Sequence, residues 1–141
     1  MAYCSQADLE KLVGPEVLAE LTTDVGEMAD AEVVAAAIAQ ADAEIDAYLA
    51  KRYRLPLASV PPVVKALSID IALYHLHSRR EGMPSIREEK YKRAVAFLAD
   101  VARGLAEIVG ADGAEVTGDD SEVAEITSND RVFSRDTLKN W

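Results

Sequence analysis

With 141 residues and a mass of 15.2 kDa the chain has the length of one ordinary domain, enough to bury a core without metal or disulfide staples. Half the residues are hydrophobic but only 6% are aromatic, and alanine supplies much of the remainder, a mix that favours close-packed helices over sheets. A net charge of −10 argues against general nucleic-acid binding, and a single cysteine excludes an internal disulfide and a Cys-based zinc site.

Met1 to Gln6 shows neither the basic nor the apolar region of a signal peptide, and no apolar run reaches membrane-spanning length. The expectation is a soluble all-α protein, made in the cytoplasm and without a membrane partner. Ser5, with Asp8 three residues on, is a capping-box start, and Leu9, Leu12 and Val13 give a short helix its apolar face up to Gly14-Pro15. Pro15 opens a second short helix with Val17, Leu18 and Leu21 inward. Thr22 to Met28 reads as a loop.

Asp30 caps a long helix expected over 31–53, with Val34, Ile38, Ala41, Ile45 and Tyr48 on one face; its many alanines leave room for close approach of another helix. Leu55-Pro56 and Pro61-Pro62 bracket a connection that cannot be helical throughout. From Pro62 a second long helix runs to about Arg80, with Val64, Leu67, Ile71, Tyr74 and Ser78 on its buried stripe. After the Glu81-Gly82-Met83-Pro84 break, Ser85 and Glu88 suggest a second capping box. The third long helix should reach about Ile108, with Tyr91, Ala94, Val95, Leu98, Val101, Ala102 and Leu105 inward and Gly110 as its cap.

The predicted architecture is a bundle of three long helices with two short N-terminal ones. It divides into a helical domain at 1–110 and an acidic arm at 111–141. Residues 111–130 carry no base and no aromatic, with composition for flexibility or at most a short hairpin. The arm ends in an anchor of aromatic and basic residues around Phe133, Arg135, Leu138 and Trp141, unusual for a terminus without a task.

Charge is segregated along the chain. Residues 1–50 hold 11 acids and one base, Lys11; residues 51–103 hold 11 bases and five acids; residues 104–141 hold nine acids and three bases. Such blocks can pair within one fold or head-to-tail between copies. The bases cluster at 51–54, 79–80 and 87–93, at helix ends and turns, where they complement helix dipoles or form a collar facing DNA or an acidic neighbour.

The chemical candidates are weak. Cys4 has no base near it in sequence, so a structural role is expected. His75 and His77 diverge by about 200° on a helix and cannot share a metal. Asp42 and Asp46 form an i,i+4 acidic pair, read as a solvated face or a patch for a basic partner. Asp24 to Glu32 lacks the calcium-loop spacing, with Gly26, Met28 and Ala29 at positions 3, 5 and 6. With no phosphate loop or nucleophile elbow either, the expectation is no catalytic, cofactor or metal site and no enzyme.

Three segments carry a family resemblance: the opening Met1-Ala-Tyr-Cys-Ser-Gln-Ala-Asp-Leu-Glu, the block at 41–73 with its Tyr-Arg-Leu-Pro break and Pro-Pro restart, and the closing Arg131-Val-Phe-Ser-Arg-Asp-Thr-Leu-Lys-Asn-Trp141. Together they resemble the small Mu-like phage and prophage proteins of unknown function and, more distantly, the helical head–tail connectors of long-tailed phages. The 24–32 loop departs from that likeness, being poorer in Asp and Gly than in many relatives. The resemblance implies an adaptor ring of about twelve copies beneath the portal, located in the virion neck and assembled in the host cytoplasm. It would touch the portal, a tail-side stopper or terminator protein, and the passing DNA without reading its sequence. Expected inter-subunit residues are Tyr48, Tyr53 and Arg54, and expected partner-docking residues are Phe133, Arg135, Leu138 and Trp141. The alternatives are a tail-side stopper or terminator, or a small regulator that never enters the virion.

Overall fold

The computed structural model describes residues 1–110. Five helices make up this part: α1 (Gln6–Val13), α2 (Pro15–Thr22), α3 (Ala31–Leu49), α4 (Pro62–Ser78) and α5 (Ser85–Arg103), with no strand among the described residues. The all-α bundle of three long and two short helices is as the sequence implies. The arm at 111–141, with Phe133, Arg135, Leu138 and Trp141, lies outside the described residues.

Each helix begins for a local reason. At α1 the Ser5 backbone N–H and hydroxyl donate to Asp8 Oδ2 at 3.0 and 2.8 Å. Pro15 starts α2 from Gly14, whose φ of 85° turns the chain between the two short helices. Asp30 caps α3, its Oδ1 accepting from the N–H of Glu32 and Val33 at 2.9 and 3.4 Å. The Asp30 N–H in turn donates to Thr22 Oγ1 at 2.9 Å, which ties the end of α2 to the start of α3. The capping box expected at Ser85 does not form: Pro84 takes the cap position and Ser85 is already the first helical residue.

The long helices are shorter than their sequence patterns imply. α3 ends at Leu49 rather than 53, and Tyr53 is held by a turn through its N–H to Leu49 O at 2.9 Å. α5 ends at Arg103 rather than Ile108, because Gly104 adopts a left-handed conformation (φ 78°, ψ 15°). The N–H groups of Gly104 and Leu105 then bond to Val101 O and Asp100 O at 3.0 and 2.9 Å, the paired bonds of a Schellman motif. This stop turns Leu105 outward, 74% exposed instead of inward, while Ile108 folds back at 2%.

α3 packs on α4 and α5, α4 packs on α5, and α1 and α2 close one end. The core joins Val34, Ile38, Ala41, Ile45 and Leu49 of α3 to Val64, Ile71, Leu73 and Leu76 of α4 and to Ala94, Leu98 and Val101 of α5. α4 is buried on more than one side, since Ser68, Ala72, Leu73 and Leu76 are covered besides the predicted stripe. Besides Leu105, three further expected inward positions point to solvent: Leu12, Val17 and Ser78. The Leu55–Pro56 peptide bond in the α3–α4 connection is cis.

Candidate functional site

The first four residues form a strap across α3. The Tyr3 N–H donates to Asp42 Oδ2 at 3.1 Å, and the Tyr3 hydroxyl donates to Asp46 one turn further on. Ser68 Oγ of α4 lies 2.8 Å from Asp42 Oδ1 and 3.2 Å from Cys4 Sγ. A hydroxyl has one proton, and the carboxylate is the stronger acceptor, so Ser68 donates to Asp42 and the Cys4 thiol is left as donor to Ser68. Asp42 is therefore no solvated acid, as its i,i+4 pairing with Asp46 suggested, but a buried group on which the strap and two helices converge. Burial pushes its carboxyl above the ordinary range, against the opposing pull of the bonds from Ser68 and Tyr3. Burial also raises the Cys4 thiol, keeping it protonated and a poor nucleophile.

A second cluster joins the three long helices. Glu44 of α3 accepts from the Tyr91 hydroxyl of α5 at 2.8 Å and faces His75 Nε2 of α4 at 3.2 Å. Tyr74 stacks on Tyr91 with ring centroids 3.9 Å apart and planes 7° from parallel. Burial first, and then Glu44, push Tyr91 up to about 12. His77 makes no such contact, and burial followed by Arg87 lowers its proton affinity. Among the described residues no three or more His, Cys, Asp or Glu side chains gather as a metal-binding group. Two of the loop acids at 24–30 have other roles, Asp24 pairing with Arg80 and Asp30 capping α3.

The residues expected to meet other subunits sit at the far end of α3. Tyr48 is partly buried against the core. Tyr53 is 7% exposed and its hydroxyl accepts from the Ile108 N–H at 3.1 Å, so it positions the segment after α5. Arg54 is exposed beside it. On this same end the Arg52 guanidinium lies over Gly104. Beside these two in the chain are Lys51 and Arg103, and the segment that follows Gly104 leaves two apolar side chains exposed, Leu105 at 74% and Val109 at 51%.

The outer face of α3 is unusual in the opposite way. Ala35, Ala36, Ala39, Ala43 and Ala47 are exposed where a solvated helix ordinarily carries long polar side chains. Between this face and the N-terminal strap runs a groove of about 420 Å³ whose walls include Met1, Ile38, Ala39, Asp42 and Asp46. The sequence pattern reveals the alanines but not the groove, which exists only once Met1 to Cys4 folds onto α3. Position 42 carries a readable signal, lying four residues after Ile38 and three before Ile45, on the edge of the buried stripe.

Comparison with known proteins gives the relatives. The family described as "Bacteriophage Mu, Gp36" matches residues 3–126. The chain is 33% identical over 112 residues to the Mu-like prophage FluMu protein gp36 of Haemophilus influenzae, covering 79% of this chain and 77% of that protein. It is 30% identical over 121 residues to gene product J of Escherichia phage Mu, covering 85% and 83% respectively.

Proposed function

From the premise that the chain belongs to the Bacteriophage Mu Gp36 family, and is thus a phage protein, we propose that it is a head–tail adaptor, forming a ring beneath the portal of the virion neck. The observation that carries this reading is the segregation of charge on one small helical bundle. Eleven acids and one base lie in residues 1–50, which form the strap, α1, α2 and α3, and 11 bases and five acids lie in residues 51–103, which include α4 and α5. A ring is closed by repeating one contact between two unlike faces, and opposite charge on those faces favours the correct mate and repels a like face.

The chemistry of the described clusters supports a structural task. Asp42 and Glu44 are engaged in bonds that hold helices together, and Cys4 lacks the base and orienting group of an activated nucleophile. A net charge of −10 suits a ring through which DNA passes without being held. In this reading Tyr48 and Arg54 lie at subunit contacts, Tyr53 braces them, and Phe133, Arg135, Leu138 and Trp141 dock on the portal or on a neighbouring copy. The ring numbers about twelve copies, to match the portal.

Electron microscopy of the protein mixed with purified portal rings tests this, using the full chain beside one ending at Asp130. The expected result is an added layer of stoichiometric density with the full chain and none with the shortened one. A layer that survives shortening keeps the adaptor and removes the docking role of the last residues. No layer with either chain moves the protein to the tail side of the neck, or out of the virion.

A further inference from the structure

We infer that the groove beside the alanine face of α3 is filled by a second copy of this chain, through the Leu105–Val109 corner that follows α5. The inference rests on the ring reading and names the two surfaces that would meet. The groove is apolar along its floor, with Ile38, Ala35, Ala39 and Ala43. Asp42 beneath it is buried and bonded to Tyr3 and Ser68, so the acidic character of the rim comes from the half-buried Asp46 and from Glu32, exposed nearer the start of the same helix. Its outer wall is Met1, itself 65% exposed. Alanine on one side allows a partner's backbone to approach closely, and the roughly 28 Å length of α3 offers several turns for it to follow.

The corner has the complementary chemistry. Leu105 and Val109 project because the Schellman stop at Gly104 reverses the chain and Ile108 is anchored inward by the Tyr53 hydroxyl. Two large apolar side chains are thus held outward on a fixed turn, at low entropic cost to a partner. The Arg52 guanidinium lies over Gly104 at the base of this turn, with Lys51 next to it in the chain and Arg103 just before the glycine, against Asp100 and Glu107. Arg103 and Asp100 are 4.0 Å apart at an exposed position, so that pair does little to neutralise the corner. Apolar knobs with a basic rim therefore face an apolar groove with an acidic rim. Because the two surfaces lie on different parts of one chain, the contact repeats head-to-tail and closes into a ring or extends as a filament.

The test uses full chains carrying a single added cysteine, with the native buried Cys4 left in place. Ala39→Cys is mixed with Val109→Cys, with and without portal rings, and treated with a short bifunctional maleimide. Glu20→Cys on α2 replaces Ala39→Cys in the control mixture. Wild-type chains set the background, and circular dichroism checks that each variant keeps its helices. The expected result is several-fold more cross-linked pair from the 39 and 109 mixture than from the control. A yield equal to the control in both conditions overturns the inference. So does preferential linking of position 39 to Trp141→Cys, which would give the groove to the C-terminal residues instead. The adaptor reading is judged separately by the wild-type layer on portal rings: a layer without the 39 and 109 link rejects only this contact. The link without a layer keeps the contact and rejects the portal role.

Discussion

Ser68 on α4 donates to Asp42 on α3 across 2.8 Å, with both side chains covered and the two residues 26 positions apart in sequence. Neither group would be tolerated alone at such a depth, because a buried carboxylate without donors costs more than its bonds return. Ser68→Ala is therefore expected to cost about 1–3 kcal/mol, leaving Asp42 Oδ1 unanswered. Ser68→Ala and Asp42→Ala together should cost clearly less than the sum of the two singles, since both remove the same bond. Urea unfolding of the four proteins at neutral pH measures this; additive costs would show that the two groups do not depend on each other.

Asp8 gives the fold a pH dependence of known sign. The Lys65 ammonium at 2.8 Å, helped by Ser5, lowers its carboxyl from 3.8 to about 2. A carboxyl whose folded value lies below its unfolded one adds stability above the unfolded value and loses it as pH falls toward the folded value. The contribution should be complete above about pH 4 and gone near pH 2, and with Lys65 half in solvent it amounts to about 1 kcal/mol. Asp42 acts in the opposite sense, because burial raises its carboxyl and acid relieves its charge. Stability curves of wild type and Asp8→Asn should thus be separated at neutral pH and converge in acid. Parallel curves down to pH 2 would dissociate the Lys65 contact from stability.

Gly104 and Gly14 separate two costs of adding a methyl group. Both have positive φ, 78° and 85°, so alanine at either site is strained by about 1 kcal/mol or more. At Gly14 nothing lies within 4 Å of the added carbon, whereas at Gly104 it would meet the Arg52 guanidinium. Gly14→Ala should lower the melting temperature through backbone strain alone. Gly104→Ala should lower it and also displace Arg52 and the Leu105 turn, visible as faster amide exchange at Leu105 and Ile108. Unchanged exchange at those amides would mean that the Schellman turn does not hold the corner.

The helical period, the caps at Ser5 and Asp30 and the proline breaks make the five-helix bundle legible in the sequence. The helix ends are not. The apolar spacing through Leu105 continues past the point where Gly104 stops α5, and a two-residue hydrogen-bonded turn overrides periodicity there. Ser85 carries capping-box chemistry, yet Pro84 fixes the entry so that serine is already inside the helix. Asp42 reads as a surface acid because its partners, Tyr3 and Ser68, are 39 and 26 residues away. The same distance hides the groove. Tyr53, expected from the sequence at a subunit contact, turns its hydroxyl inward to Ile108, a bond that no local pattern encodes.

Glu44 offers the last prediction, because one carboxylate meets side chains from two other helices. Its oxygens reach the Tyr91 hydroxyl at 2.8 Å and His75 Nε2 at 3.2 Å, and the Tyr74 ring lies flat on Tyr91. Glu44→Ala removes both acceptors at once and should cost about 1–3 kcal/mol, with loss of the near-ultraviolet dichroism of the stacked tyrosines. Glu44→Gln keeps an acceptor for Tyr91 but not the charge, so it should be milder. It should also bring the ionisation of Tyr91 down from about 12 toward the ordinary tyrosine value, by removing the second of its two main causes. Burial, the first cause, stays, so the return should be partial. Spectrophotometric titration of Glu44→Gln beside Tyr91→Phe assigns the transition. A Tyr91 transition that does not move when the charge is removed would show that burial alone sets it, and that Glu44 joins the helices by geometry rather than by charge.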